Sequence, residues 1–245
     1  MNQLNQMIIE GRLVKEPEVK ELENGNKVAN FTIANNKHFK DSDGKTQDEV
    51  TYMDVTAWNE NTEFASKLQK GNSVRIVGRL NQNTWKSEDG KNHSKIFLTA
   101  EHIEYASDRL NKQINQAILE GNLVEKPDFK EFDSGKQKAS FTIANNRSFK
   151  NPDGTVRNSV DFIEGEAWGP LAKKIKNSEK GNNIRIIANA KQDKWVDQDG
   201  INHSKIKLVT EQIELRSRKQ EQAVTTEKPK KNSKSKEDDL GYGRF

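Results

Sequence analysis

The sequence predicts an all-β protein made of two tandem copies of one small, five-stranded Greek-key barrel. Three observations predict it. Residues 1–105 align with residues 111–215 at a constant offset of 110, without a gap, and 44 of the 105 aligned positions are identical. A constant offset keeps every strand and loop length, so the two halves must share one fold. Each half also alternates short β-branched and aromatic runs with turns rich in Gly, Asn and Asp, which is strand and hairpin punctuation. One helical stretch interrupts that run at the same place in both halves. A repeat of 110 residues is far too long for a solenoid, whose units span roughly 20–50 residues, and each copy is large enough to bury its own core.

In the first copy the strands follow in order. "MIIEGRLV" (7–14) is stopped by Pro17, and "VANFTIAN" (28–35) follows the turn "ENGN". "VTYMDVTAW" (50–58) and "VRIVGRLNQ" (74–82) come next, then "SKIFLTAEHIEY" (94–105) across the turn "SEDGKN". Between the third and fourth strands, "NENTEFASKLQKG" sets Phe64 and Leu68 one helical turn apart, with Gly71 as a C-terminal stop. The second copy offers "GPLAKKIKNSEKG", with Pro170 near the helix start and Leu171 and Ile175 one turn apart. Five strands with a helix between the third and fourth are the element order of the OB-fold. Gly11 and Gly78 sit inside strand patterns, where glycine marks a bulge or tight bend. Phe31 and Phe141, alternating with Thr in "FTIA", are expected in the core.

The domains are therefore placed at 1–106 and 111–216, joined by a short polar connection. Residues 217–245 differ in kind. The stretch "QEQAVTTEKPKKNSKSKEDD" has too little apolar surface to offset ordering entropy, so it is predicted to be disordered. The chain then ends on "LGYGRF".

Composition excludes several function classes. There is no cysteine, hence no disulfide and no thiolate metal site, which fits a reducing cytoplasm. The N-terminal segment lacks a signal-peptide pattern, and no apolar run approaches the roughly 20 residues that cross a bilayer. The net charge is +4, but from Arg216 onward nine Lys/Arg face five Asp/Glu, so residues 1–215 are neutral as a whole. Binding of a polyanion by the body must come from local clustering. His93 and His203 recur in "NHSK" without paired-His spacing, so they read as hairpin polar residues and no metal or cofactor is expected. No phosphate-cradling glycine motif and no assembled catalytic set is present, and no enzymatic activity is expected.

The four tryptophans form two pairs at the repeat offset, Trp58 with Trp168 and Trp85 with Trp195. Trp85 and Trp195 precede hairpin turns, a poor place to bury an indole. Phe39 and Phe149 stand in polar surroundings. Tyr52, Asp54, Thr56 and Trp58 share one strand face and Met53, Val55 and Ala57 the other, so the first set points outward. Trp58 lies at the strand end beside the helix, where packing competes. Basic residues flank these rings: Lys37, Lys40, Arg79 and Lys86 in one copy, Arg147, Lys150, Lys191 and Lys194 in the other. Arg75 and Arg185 recur on the fourth strand.

Both copies resemble the bacterial single-stranded DNA-binding protein family. The likeness rests on "IIEGRLVKEPEVK", "NGNKVANFTIANN", "KGNSVRIVGRL" and "WKSEDGKNHSK" in the first copy. In the second it rests on "ILEGNLVEKPDFK", "SGKQKASFTIANN", "KGNNIRIIANA" and "WVDQDGINHSK". The resemblance implies four base-stacking positions per domain, occupied by Phe39, Tyr52, Trp58 and Trp85 and by Phe149, Phe162, Trp168 and Trp195. Stacking needs only a flat π-surface, so Phe and Tyr can serve. It also implies a homodimer displaying four OB domains, a role in replication, recombination and repair, and a partner-docking tip formed by Asp238, Asp239, Leu240 and Phe245. A tandem OB-fold RNA binder or primosomal accessory protein is the alternative, since the 2′-OH decides between RNA and DNA. The second copy has Asn189 in place of Arg79, and Glu164 and Glu166 in place of Asp54 and Thr56. Added negative charge along a phosphate path predicts weaker binding there.

Overall fold

The computed structural model describes residues 2–40, 43–87, 90–107, 113–150, 154–196, 200 and 202–216. The first half runs β1 (Asn5–Leu13), β2 (Glu18–Glu21), β3 (Lys27–Lys40), β4 (Thr46–Trp58), α1 (Glu60–Ala65), β5 (Ser73–Lys86) and β6 (Asn92–Tyr105). The second runs β7 (Asn115–Leu123), β8 (Asp128–Glu131), β9 (Gln137–Lys150), β10 (Val156–Trp168), α2 (Pro170–Ile175), β11 (Asn183–Val196) and β12 (Asn202–Arg216).

Each half closes on itself. β1 pairs with both β5 and β3, β3 with β4, β5 with β6, and a short parallel contact between β4 and β6 (Val55 opposite Leu98) completes the ring. The second half repeats every pairing. These are two OB barrels, as the element order predicts. Period-two alternation builds the interior: Met7, Ile9, Phe31, Ile33, Met53 and Val55 are buried in the first barrel, and Phe141 is buried in the second.

The glycines differ in what they do. A Cβ on Gly11 would lie 2.8 Å from the Ala34 carbonyl oxygen, and one on Gly121 2.5 Å from that of Ala144. Both copies need glycine there so that the first strand can cross the third and close the barrel. Gly78 does mark a bulge in β5, but the matching bulge in β11 carries Ala188, so this bend does not itself require glycine.

The first helix is shorter than the i, i+4 pattern predicts, while α2 holds both Leu171 and Ile175. α1 ends at Ala65, and Leu68 reaches the core from the turn beyond it. There Lys67 and Leu68 donate to the carbonyls of Phe64 and Ala65, bonds of the tighter three-residue type. Gly71 does not cap the helix; it turns the chain into β5 at φ +86°. Pro170 opens α2 as expected. β2 and β8 are additional four-residue edge strands paired on β3 and β9.

The strands also run past their expected ends. β3 continues to Lys40 and β5 to Lys86, so the β3–β4 and β5–β6 hairpins form long arms beyond the barrel. Phe39 and Trp85 stand on paired strands of these arms, opposite Gln47 and His93, instead of on loops.

The halves join through an antiparallel pairing of β1 with β7 that centres on Met7 opposite Ala117. A continuous twelve-stranded ladder results, with a pseudo-two-fold axis between its halves. Asn5 and Asn115 make the exchange possible. At Asn5 the β1 backbone has left β5 to pair with Leu119. Its side-chain amide then stands in for a peptide, accepting from Leu80 N–H at 3.0 Å and donating to Leu80 C=O at 2.8 Å. Asn115 does the same for Ala190, at 2.8 and 2.9 Å.

Candidate nucleic-acid interface

All eight predicted aromatics lie on outward strand faces and are between 38% and 47% exposed. Rings this large, held at that exposure by regular pairing, are neither core nor loose. Cations sit over several of them: Lys37 Nζ is 5.9 Å from the Phe39 ring centre, and the Arg147 guanidinium 5.2 Å from that of Phe149. The two tryptophans on the β5–β6 and β11–β12 arms are backed by histidine. Trp85 is stacked on His93 and Trp195 on His203, each at 5.5 Å between ring centres and 16° between planes. Ser87 Oγ lies 2.9 Å from His93 Nε2 and helps fix that ring. The recurring histidines thus support the indoles, a role that reading them as hairpin polar residues misses. Counting back from the hairpin turn would have paired position 85 with 93.

The two domains' aromatics meet across the seam. A cleft there is lined by Tyr52, Gln82 and Lys95 together with their repeat mates Phe162, Gln192 and Lys205. The arms interlock around it. Gln82 N–H donates to Asp161 Oδ1 at 2.8 Å, Lys191 Nζ meets Glu49 Oε1 at 2.6 Å, and Lys194 Nζ lies 5.3 Å from the ring centre of Tyr52 in the other domain. Tyr52 therefore belongs to a surface built by both halves.

Several predicted cations have protein partners. Arg75 is held by Glu10 at 2.7 Å and Glu104 at 2.9 Å, and Arg185 by Glu120 at 3.0 Å and Glu214 at 3.3 Å. Arg79 sits at the seam with Nη2 3.5 Å from Asn145 Oδ1; burial first, then the neighbouring charge of Arg147, push its pKa down. Lys37, Lys40, Lys86, Lys150 and Lys194 are exposed on the arms.

The acidic substitutions of the second copy do not act as the sequence suggests. Glu164 is ion-paired with Lys205, just as Asp54 is with Lys95. Glu166 is buried, meeting Lys138 at 2.9 Å and Lys207 at 2.8 Å, and it accepts the Trp168 indole N–H at 3.1 Å. Burial alone would raise its carboxyl pKa, but hydrogen bonds from Lys207, Lys138 and Trp168 outweigh it and hold the pKa below the ordinary value. The first copy has Val28 and Phe97 where these lysines stand. The carboxylate arrives with its own counter-charges, so it lays no unbalanced negative charge on the surface. Asp238, Asp239, Leu240 and Phe245 lie outside the described residues. Among the described residues no helix is long and apolar enough to cross a membrane.

Comparison with known proteins follows the same division of the chain. The model of the single-strand binding protein family matches twice, over residues 4–106 and 114–216. The single-stranded DNA-binding protein of Aquifex aeolicus is 38% identical over 101 residues, covering 41% of this chain and 68% of that protein. That of Deinococcus radiodurans is 22% identical over 229 residues, covering 88% of this chain and 76% of the other. The crystal structure of the wild-type single-stranded DNA binding protein from Thermus aquaticus matches with a TM-score of 0.70 and 24% identity, over 89% of this chain and 95% of that one. At that identity the structural likeness speaks for the fold.

Proposed function

As a member of the single-strand binding protein family, this chain binds single-stranded DNA, and we propose that it does so along one aromatic track that crosses both domains. The carrying observation is the set of eight half-exposed rings, four per domain, whose members Tyr52 and Phe162 share the cleft on the seam. Each stacked base contributes about 1–3 kcal/mol, and every base has a π-face, so the track is indifferent to sequence. Duplex bases hide those faces in their own stack. The exposed lysines of the arms follow the phosphates, with Arg147 beside Phe149. Arg75 and Arg185 are left out of this path because two carboxylates already hold each guanidinium.

The particle is a homodimer displaying four barrels, and it serves replication, recombination and repair by keeping single strands covered. Titration with dT oligomers tests the binding. Tryptophan fluorescence should be quenched at low salt, with duplex of equal length giving far less. Absence of both quenching and a mobility shift would sink the reading. An rU arm reports on the 2′-OH. Light scattering tests the assembly: a mass near 27.9 kDa, one chain, would remove the dimer.

A further inference from the structure

The second domain carries an aromatic outside the set of eight. Phe132 follows β8 in the turn to β9. Its N–H donates to Lys136 C=O at 2.9 Å and its carbonyl accepts from Gly135 N–H at 2.8 Å, so the turn pins its backbone. Its ring is nearly parallel to Trp168, 14° between planes and 6.2 Å between centres. That is an offset-parallel pair within the favourable range of about 4.5–7 Å. Phe132 is nevertheless exposed, at 44%.

The surroundings of Trp168 differ from those of Trp58 in a coordinated way. Where the first copy has Leu22, Val28 and Thr56, the second has Phe132, Lys138 and Glu166. Glu166 takes the indole N–H, and Lys138 Nζ lies 5.5 Å from the ring centre, so the indole is fixed in orientation. An aliphatic side chain such as Leu22 would cover the indole edge equally well. What Phe132 adds is a second flat ring, nearly parallel to the first and open to solvent. We propose that Phe132 is a fifth base-stacking platform of the second domain, receiving the nucleobase next to the one on Trp168 and lengthening that domain's site by one nucleotide. The clamp on Trp168 keeps the two rings nearly parallel, so the platform exists before DNA arrives and costs little ordering on binding.

This inference rests on the stacking reading above, and its test separates the two. In the full-length protein, Phe132→Leu installs the first copy's residue. It keeps an apolar contact with Trp168 and removes only the π-surface. Affinity for a dT oligomer is followed by fluorescence anisotropy across a salt series, with melting temperature as the control for folding. The expected result is binding weaker by about fivefold or more, the value of one stacked base, with an unchanged salt slope because no phosphate contact is lost. Binding within twofold of wild type would show that Phe132 only shields Trp168. Should Phe132→Leu lower the melting temperature, photo-crosslinking of wild type to a 5-iododeoxyuridine-substituted oligomer decides instead. An adduct on the tryptic peptide Glu131–Lys136 supports the platform, and its absence overturns it. Failure of wild type to bind dT at all would overturn the stacking reading itself, an outcome distinct from either.

Discussion

Asn5 gives the sharpest test of how the two domains are joined. Its side chain is buried and makes three hydrogen bonds: to both peptide groups of Leu80, at 2.8 and 3.0 Å, and to Asn145 Oδ1 at 3.1 Å. Replacement by Ala leaves the N–H and C=O of Leu80, a residue 1% exposed, without these partners. Each orphaned buried group costs about 1–3 kcal/mol and the losses overlap, so Asn5→Ala should destabilise by about 3 kcal/mol. Asn5→Asp is the discriminating variant. It keeps the volume and the acceptor for Leu80 N–H, but it turns the donor into an oxygen facing Leu80 C=O and Asn145 Oδ1. At neutral pH it should be at least as damaging as Ala. Burial and the two facing oxygens raise the folded-state pKa of the new carboxyl, and protonation supplies the missing donor, so its deficit should shrink as pH falls through that value. Urea unfolding followed by tryptophan fluorescence, at pH 7 and pH 4, measures this. If Asn5→Asp is clearly milder than Asn5→Ala at pH 7, Asn5 is a matter of packing and the peptide-mimic account is wrong.

Two further perturbations address the surface. Trp85→Ala should weaken dT binding by about 1–3 kcal/mol with an unchanged unfolding midpoint, and Trp195→Ala should match it, because the carboxylates of the second site are balanced; anisotropy titrations of both variants decide. Glu166→Gln should lower stability at neutral pH by about 1–3 kcal/mol. Because the folded Glu166 pKa is depressed, its contribution is full above the unfolded value of 4.5 and is lost as pH falls through the folded value. Melting curves of wild type and Glu166→Gln should therefore converge in acid, and a gap that persists there would dissociate the effect from the carboxylate's charge.

Much of this was legible in the residues. The repeat fixed the domain count, period-two alternation separated Met53, Val55 and Ala57 from Tyr52 and Trp58, and exposure at the hairpins marked Trp85 and Trp195. What was not legible is whatever depends on pairing between distant segments. Arg75 and Arg185 recur like binding residues, and the sequence alone does not show that each is ion-paired to a carboxylate on the neighbouring strand, Glu10 or Glu120. His93 looks like an ordinary hairpin residue until the register sets it beneath Trp85. Glu166 reads as a liability until Lys138, from β9, and Lys207, from β12, converge on it. Strand ends were missed because the arms are polar and protrude beyond the barrel, so no buried face announces them.

The pseudo-symmetry of the seam is broken in matched pairs, and this bears on how the chain can use its two halves. On one side of the axis Arg79 faces Asp161 and Arg147 from the other domain; at the mirrored place stand Asn189, Thr51 and Lys37. Asp161 is buried, and burial pushes its pKa up against the opposing pull of the Gln82 N–H, Arg79 and Arg147. Two cations favour that carboxylate: Arg79 from the first copy and Arg147 from its own. Two first halves paired alone would bring Arg79 to the seam without its carboxylate, since they have Thr51 there. Two second halves would bring Asp161 with Arg147 but without Arg79. Each mismatch removes a favourable charge interaction across the seam. The seam therefore favours first half against second half, the arrangement a single chain guarantees.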